Sequence, residues 1–328
     1  MLFAVLLLLA GFLILIKGAD FLVNGASSIA KRYNVSNLAI GLTVVAFGTS
    51  MPEMVVSVLA ALSGQSDASF GNVIGSNNFN LLFILGVSGL IYPLVVQRNT
   101  VKYEVPMSLL AALVLFILVN DTLVGTADDS MPKELLTRLD SIILLIFFVS
   151  FLFYIYRTMS HASDLGEGEK IKIYGTWISI GLTAGGIAML VGGGKLVVDN
   201  AIFIAHEAGL SEKLIGLTIL AAGTSLPELA TSAVAAYRKN TDIAIGNVVG
   251  SNIFNIFFIL GVTGVIHPIE YNPALNFDIY VMIVATIILM IFMFTLKQRS
   301  LDRWEAFILL SAYITYTVYL IGVENGQV

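Results

Sequence analysis

The chain has 328 residues, of which 57% are hydrophobic and 12% charged, with a net charge of −5. Soluble chains carry about a quarter charged residues, so a water-soluble globular domain is excluded. The absence of cysteine and the three separated histidines exclude disulfides, thiolate metal sites and an imidazole metal cluster. The few, scattered Lys and Arg residues exclude a nucleic-acid-binding surface.

Met1–Ile16 is apolar with no basic region before it, and the apolar pattern runs on past Lys17 and Asp20. This predicts a retained membrane helix, not a cleaved leader. Further apolar segments fall near residues 37–62, 70–92, 103–120, 139–157, 172–205, 213–237, 243–266, 278–296 and 304–322. Crossing ~30 Å of hydrocarbon takes roughly 20 helical residues. The predicted fold is therefore an all-α integral membrane protein of ten transmembrane helices. The first and sixth, near 30 residues each, are expected to tilt. Asn120–Leu139 reads as an external loop and Arg157–Lys172 as a polar linker.

Basic residues orient the bundle. With the N-terminus outside, the inner loops hold twelve of the 17 basic residues, among them Lys31, Arg32, Arg98, Arg238 and Lys239. The outer loops hold Lys133, Arg138 and Lys213. Both termini are accordingly expected to be extracellular, in the cell membrane. Five spans per half then start the two halves on opposite sides, as two inverted five-helix repeats. The expected division is residues 1–160, a cytoplasmic linker at 161–171, and residues 172–328.

A duplicated motif supports that division. GTSMPE at Gly48–Glu53 recurs as GTSLPE at Gly223–Glu228, 175 residues later. The same offset carries GNVIGSNNFN at Gly71–Asn80 onto GNVVGSNIFN at Gly246–Asn255, with eight of ten residues matching. Ser36, Gly41 and Thr43 map onto Ser211, Gly216 and Thr218, so the repeat blocks extend over 36–86 and 211–261. A carboxylate inside an apolar helix is costly and marks an ion pathway by default. Two at repeat-related positions point to one site built from both halves.

The neighbouring residues suit hard cations. Thr49, Ser50, Glu53 and Ser57 are spaced to share a helix face, as are Thr224, Ser225, Glu228 and Ser232. Pro52 and Pro227 break the helical ladder, making carbonyls around Ala46–Gly48 and Ala221–Gly223 candidate ligands. Asn72, Ser76 and Asn80, with Asn247, Ser251 and Asn255, form two polar stripes. Gly71, Gly75, Gly246 and Gly250 permit close helix approach. Ca²⁺ takes about 6–8 oxygen ligands, which carboxylates, amides and carbonyls supply. Ser57 or Asn72 taken singly could equally satisfy a local carbonyl or bridge helices.

GTSxPE followed by GSNxxN, present twice in a five-plus-five arrangement, resembles the two alpha-repeats of the cation/Ca²⁺ exchanger superfamily, specifically its Na⁺/Ca²⁺ exchangers. The resemblance covers nearly the whole chain. It implies a secondary antiporter working by alternating access, with Ca²⁺ and Na⁺ transported and no cofactor. Glu53 and Glu228, with the carbonyls of Thr49 and Thr224, would hold Ca²⁺. Ala46, Ser50 and Ser76, and Ala221, Ser225 and Ser251, would form Na⁺ sites, with Asn80 and Asn255 at the centre. The resemblance further implies that three Na⁺ exchange for one Ca²⁺, electrogenically, and that the first and sixth helices slide against the rest. Asn255 stands where K⁺-dependent members commonly carry Asp, which favours a K⁺-independent exchanger of prokaryotic type. A K⁺-dependent or proton-coupled Ca²⁺ exchanger is the alternative.

Asp20 and Lys195 are also related by the offset. They are expected either to pair between helices or to pair locally, Lys17 with Asp20 and Lys195 with Asp199. A cation channel is a weaker reading, because an inverted repeat within one chain favours a monomeric carrier. The sequence carries no nucleophile and base constellation for an enzyme. Lipid and the two ions are the expected partners.

Overall fold

The computed structural model describes residues 2–120, 134–158, 173–207, 221–295 and 299–324. The helices are α1 (Leu2–Arg32), α2 (Asn37–Thr49), α3 (Met51–Leu62), α4 (Ser66–Ile91), α5 (Thr100–Leu118), α6 (Arg138–Thr158), α7 (Thr176–Glu207), α8 (Leu226–Tyr237), α9 (Thr241–Ile266), α10 (Asn276–Phe292) and α11 (Arg303–Glu324). Eight helices among the described residues are long and apolar enough to span a membrane. The pair α2 and α3, bent by 47°, is long and apolar enough to count as a ninth if taken as one broken span. The tenth expected segment, 213–237, begins outside the described residues and is described from a short turn at Ala221–Gly223 into α8. The expected loop at 120–139 and the linker lie largely outside them too, as do Ser211, Gly216 and Thr218.

The outer surface is largely apolar, and polar side chains are buried inside among an apolar core. Leu2, Phe3, Leu13, Leu139, Trp177 and Trp304 are exposed, whereas Ser57, Asn77, Asn247 and Thr263 are fully buried. Lipid tails are as apolar as leucine, so burying leucine does not drive these helices together. Close packing and interhelical hydrogen bonds do. In α4 and α9 the most apolar window is 72% and 78% buried, against 17–39% in the other long helices. These two form the centre.

Helices α1 (31 residues) and α7 (32 residues) run antiparallel along one another. A Cβ on Gly186 would lie 2.7 Å from the Gly18 carbonyl oxygen, and one on Gly193 would lie 3.1 Å from that of Gly11. Only glycine lets the backbones meet this closely. The register places Asp20 just beyond the Gly18–Gly186 contact and Lys195 just beyond Gly11–Gly193. That separates them by about 10 Å or more along the axis, so the interhelical pair does not form. Lys195 pairs with Asp199 at 3.4 Å, as the local reading expects. Asp20 pairs with neither lysine: Arg238, after α8, bonds both Asp20 and Asn24.

Features that the sequence does not announce are equally duplicated. Four two-residue strands form two antiparallel bridges, β1 (Leu94–Val95) with β4 (Ser300–Leu301) and β2 (Leu135–Leu136) with β3 (Ile269–Glu270). Since β1 and β3 are related by the offset, each bridge ties one half to the other in swapped order. Inside α4 and α9 the backbone widens to π-helix at Phe79–Ile84 and Phe254–Leu260, starting at offset-related residues just before Asn80 and Asn255. Such π stretches re-aim side chains and are frequent at functional sites.

Of the glycine pairs expected to bring helices together, Gly246 and Gly250 do so. A Cβ on Gly246 would lie 3.1 Å from Gly41 Cα, and one on Gly250 would lie 2.8 Å from Ala46 Cβ. Gly71 and Gly75 meet no described atom, and the segment the offset would set against them, 213–221, is largely outside the described residues.

Candidate functional site

The helix break places the carboxylates. Pro52 lacks the N–H that would reach the Gly48 carbonyl. The chain turns at Ser50 (φ −83°, ψ 7°), and α3 restarts with Met54 N–H on the Ser50 carbonyl. The second copy turns at Ser225 (φ −91°, ψ 9°), and Leu229 N–H bonds the Ser225 carbonyl. Glu53 and Glu228 thus sit in the first turns of α3 and α8, where helix dipoles favour anions. They are 0% and 1% exposed.

Ser50 caps the start of α3, and its hydroxyl does not bond Glu53 three residues on. Ser50 donates instead to Glu228 Oε1, and Ser225 donates to Glu53 Oε1, each at 2.9 Å. The Ser76 and Ser225 hydroxyls lie 3.0 Å apart. Thr49 donates to Asn247 Oδ1 at 3.0 Å, and Thr224 to Asn72 Oδ1 at 3.3 Å. Each of these asparagines also braces its own half. Asn72 Nδ2 bonds the Glu53 carbonyl at 3.1 Å and Ser57 Oγ at 2.9 Å; Asn247 Nδ2 bonds the Glu228 carbonyl at 3.3 Å and Ser232 Oγ at 2.9 Å. The cage therefore combines bonds within each half with bonds that reach across to the other repeat copy.

The cage leaves a defined surplus. Glu53 Oε2, Glu228 Oε2, Asn80 Oδ1, Asn255 Oδ1 and Ser251 Oγ are buried without a hydrogen-bond partner. A buried acceptor without a donor costs about 1–3 kcal/mol, and more when charged. The ion pairs between described residues lie elsewhere, at Lys195–Asp199 and Asp20–Arg238. No group of three or more His, Asp or Glu that could hold a metal occurs among the described residues. The surplus is accordingly two carboxylates complemented by neutral oxygens, a donor set suited to hard cations.

One expected ligand needs correction. The Ala46 carbonyl is not freed by the proline, since it accepts from Ser50 N–H at 3.0 Å; the Thr49 hydroxyl, whose proton goes to Asn247 Oδ1, lies 3.3 Å from it. Pro52 removes a donor from Gly48, four residues back, and Ala46 stays in the preceding ladder. In the second copy, Ala221 opens the short helical turn, and its side chain lies outside what is described.

Asn77 and Asn252 are not marked out by spacing. They precede the Asn80 and Asn255 positions by three residues and lie off the four-residue stripe. They are the first asparagine of each GSNxxN copy, matched at the 175-residue offset, and nothing in the spacing gives them a role. A second acidic position also goes unmarked: Glu104, buried at the start of α5, accepts from the Tyr154 hydroxyl at 2.6 Å.

Buried acidic oxygens at the centre of a duplicated helical bundle define a membrane protein that handles cations. The family profile described as "Sodium/calcium exchanger protein" matches this chain twice, over residues 3–157 and 178–322, and the chain belongs to that family. It is similar to CaxA of Alkalimonas amylolytica, 39% identical over 98% of this chain and 99% of the relative. The sodium/calcium exchanger MaX1 of Methanosarcina acetivorans is 33% identical over 96% and 97%. The solved structure of the sodium-calcium exchanger NCX_Mj superposes with a TM-score of 0.80 at 32% identity, over 96% of this chain and 97% of that one. The chain is thus a multi-pass transmembrane exchanger, a transporter in class.

Proposed function

We propose that this protein is an electrogenic Na⁺/Ca²⁺ antiporter of the cell membrane that works by alternating access, independently of K⁺. The observation that carries the reading is the set of buried, unpartnered oxygens on Glu53, Glu228, Asn80, Asn255 and Ser251. Glu53 and Glu228 supply −2, which one Ca²⁺ neutralises. The carbonyls of Thr49 and Thr224 join them as Ca²⁺ ligands, and Ser50, Ser76, Ser225 and Ser251 supply neutral oxygens that Na⁺ can use in separate pockets. Ala46 has only the remaining lone pair of its backbone carbonyl to offer, and Ala221 is assigned the same part. NCX_Mj was soaked in Na⁺ with Ca²⁺ or Sr²⁺, which supports the same pair of ions here.

Exchange in place of leak follows from electrostatics. Stripped of cations, the site would hold two like charges in a medium of low dielectric, a state too costly to reorient. Either load relieves it. With three Na⁺ per Ca²⁺, the Na⁺-loaded form carries one more positive charge, and membrane potential acts on the cycle.

Residues 1–160 and 172–328 serve as the inverted halves, both termini outside, in a single working chain. Motion is assigned to α1 and α7 sliding on the remaining helices. The two helices are held differently. Asp20, Asn24 and Ser27 tie α1 to Arg238 and Asn240, whereas the offset-related Lys195 and Asp199 pair with each other in exposed positions. Ca²⁺ uptake into proteoliposomes, with Na⁺, K⁺ and H⁺ gradients imposed separately, tests the function. Uptake driven by Na⁺ alone, accompanied by current, is the expected result. Drive by K⁺ or protons would establish the alternative exchangers, and uncoupled flux would establish a channel.

A further inference from the structure

Asparagine amides can turn either end toward a neighbour, so what fixes their direction matters. The direction here is settled by two backbone carbonyls, which can only accept. Asn252 Nδ2 meets the Asn77 carbonyl at 3.4 Å, and Asn77 Nδ2 meets the Asn252 carbonyl at 3.3 Å. Each of these amides must therefore turn its NH₂ to the carbonyl and its oxygen the other way. Asn252 Oδ1 then accepts from Asn80 Nδ2, and Asn77 Oδ1 accepts from Asn255 Nδ2, each at 3.0 Å. With their NH₂ groups engaged, Asn80 and Asn255 present bare oxygens. Asn80 lies on the α4 stripe with Ser76, whose hydroxyl contacts Ser225, the donor to Glu53. All four asparagines are at most 1% exposed, so water does not rotate them.

We propose that Asn77 and Asn252 are positioning residues that lock the amides of Asn80 and Asn255 with oxygen toward the ions, and thereby set the site's affinity and its preference for Ca²⁺. A reversed amide would aim N–H dipoles at a cation and remove one ligand. The lock is crossed: the asparagine of one half orients the ligand of the other, so the site is complete only when α4 and α9 are in register. This inference rests on the reading of the cage as the cation site.

The test is equilibrium Ca²⁺ binding to the full-length protein in detergent, beside Na⁺-driven Ca²⁺ flux in proteoliposomes. Wild-type protein that binds no Ca²⁺ would refute the cation-site reading itself. Where wild type binds, Asn252→Leu and Asn77→Leu are expected to weaken Ca²⁺ binding about 10–100-fold, the usual effect of losing a group that orients a metal ligand. In an Asn80→Asp background a carboxylate has no wrong end, so adding Asn252→Leu is expected to cost little more. Unchanged Ca²⁺ binding in Asn252→Leu would overturn the proposal. An equal loss with Asn80 or Asp at position 80 would also overturn it, marking Asn252 as packing alone. Should leucine prevent folding, Asn252→Ala serves the same comparison.

Discussion

Ser225 donates its hydroxyl to the Glu53 carboxylate at 2.9 Å, across 172 residues of chain. Ser50 repeats the contact on Glu228 at the same distance. Each carboxylate is thus oriented by the other repeat copy, and neither half holds a complete site. A hydrogen bond to a charged group is worth about 1.5–3 kcal/mol. Ser50→Ala and Ser225→Ala are therefore each expected to weaken Ca²⁺ binding roughly tenfold to hundredfold. Titration of both variants checks this, and an effect confined to one would break the functional symmetry of the two contacts.

Removing a carboxylate should be more severe. Glu53→Gln and Glu228→Gln each replace half of the charge that Ca²⁺ neutralises with an amide of the same shape. Na⁺-driven Ca²⁺ uptake is expected to fall to that of protein-free vesicles, with thermal unfolding in detergent little changed. Retained uptake in either variant would remove that glutamate from the ion site.

Protons should act as competitors. A protonated carboxyl carries no charge for a cation to neutralise, so acidifying both sides of the vesicle is expected to inhibit Ca²⁺ exchange. Raising Ca²⁺ should relieve the inhibition. Initial rates at several pH values and Ca²⁺ concentrations check it, and inhibition that Ca²⁺ cannot overcome would place the proton elsewhere.

Asn255 should decide the monovalent partner. Wild-type exchange is expected to be the same with and without K⁺. Asn255→Asp adds a third carboxylate to the cage and is expected to make Ca²⁺ uptake K⁺-stimulated. Flux with K⁺ on one side only measures both.

Asp20 and Arg238 join α1 to the end of α8 with both side chains about a quarter exposed. A pair so placed contributes on the order of 1 kcal/mol. Asp20→Asn and Arg238→Gln are each expected to change the exchange rate while leaving Ca²⁺ affinity in detergent unchanged. Exchanging the two charges should recover part of the rate, and no recovery would show that geometry, not charge, matters at this contact.

Much of this molecule is written along the chain. Glu53 and Glu228 stand out because a charge in an apolar helix has few solvents, and the 175-residue offset alone is enough to pair them. The span pattern is legible for the same reason, since hydrocarbon thickness fixes helix length. Tertiary structure decided the partners. Ser50 bonds Glu228 and not its near neighbour Glu53, because the helix breaks at Ser50 and the second repeat copy packs against that break. Asp20 finds Arg238 because the Gly18–Gly186 and Gly11–Gly193 contacts fix a register that carries Lys195 away from it. Asn77 and Asn252 gain their role only where two helices from different halves meet. Local spacing could not announce that, because hydrogen bonds between distant segments depend on which backbones approach closely enough to make them.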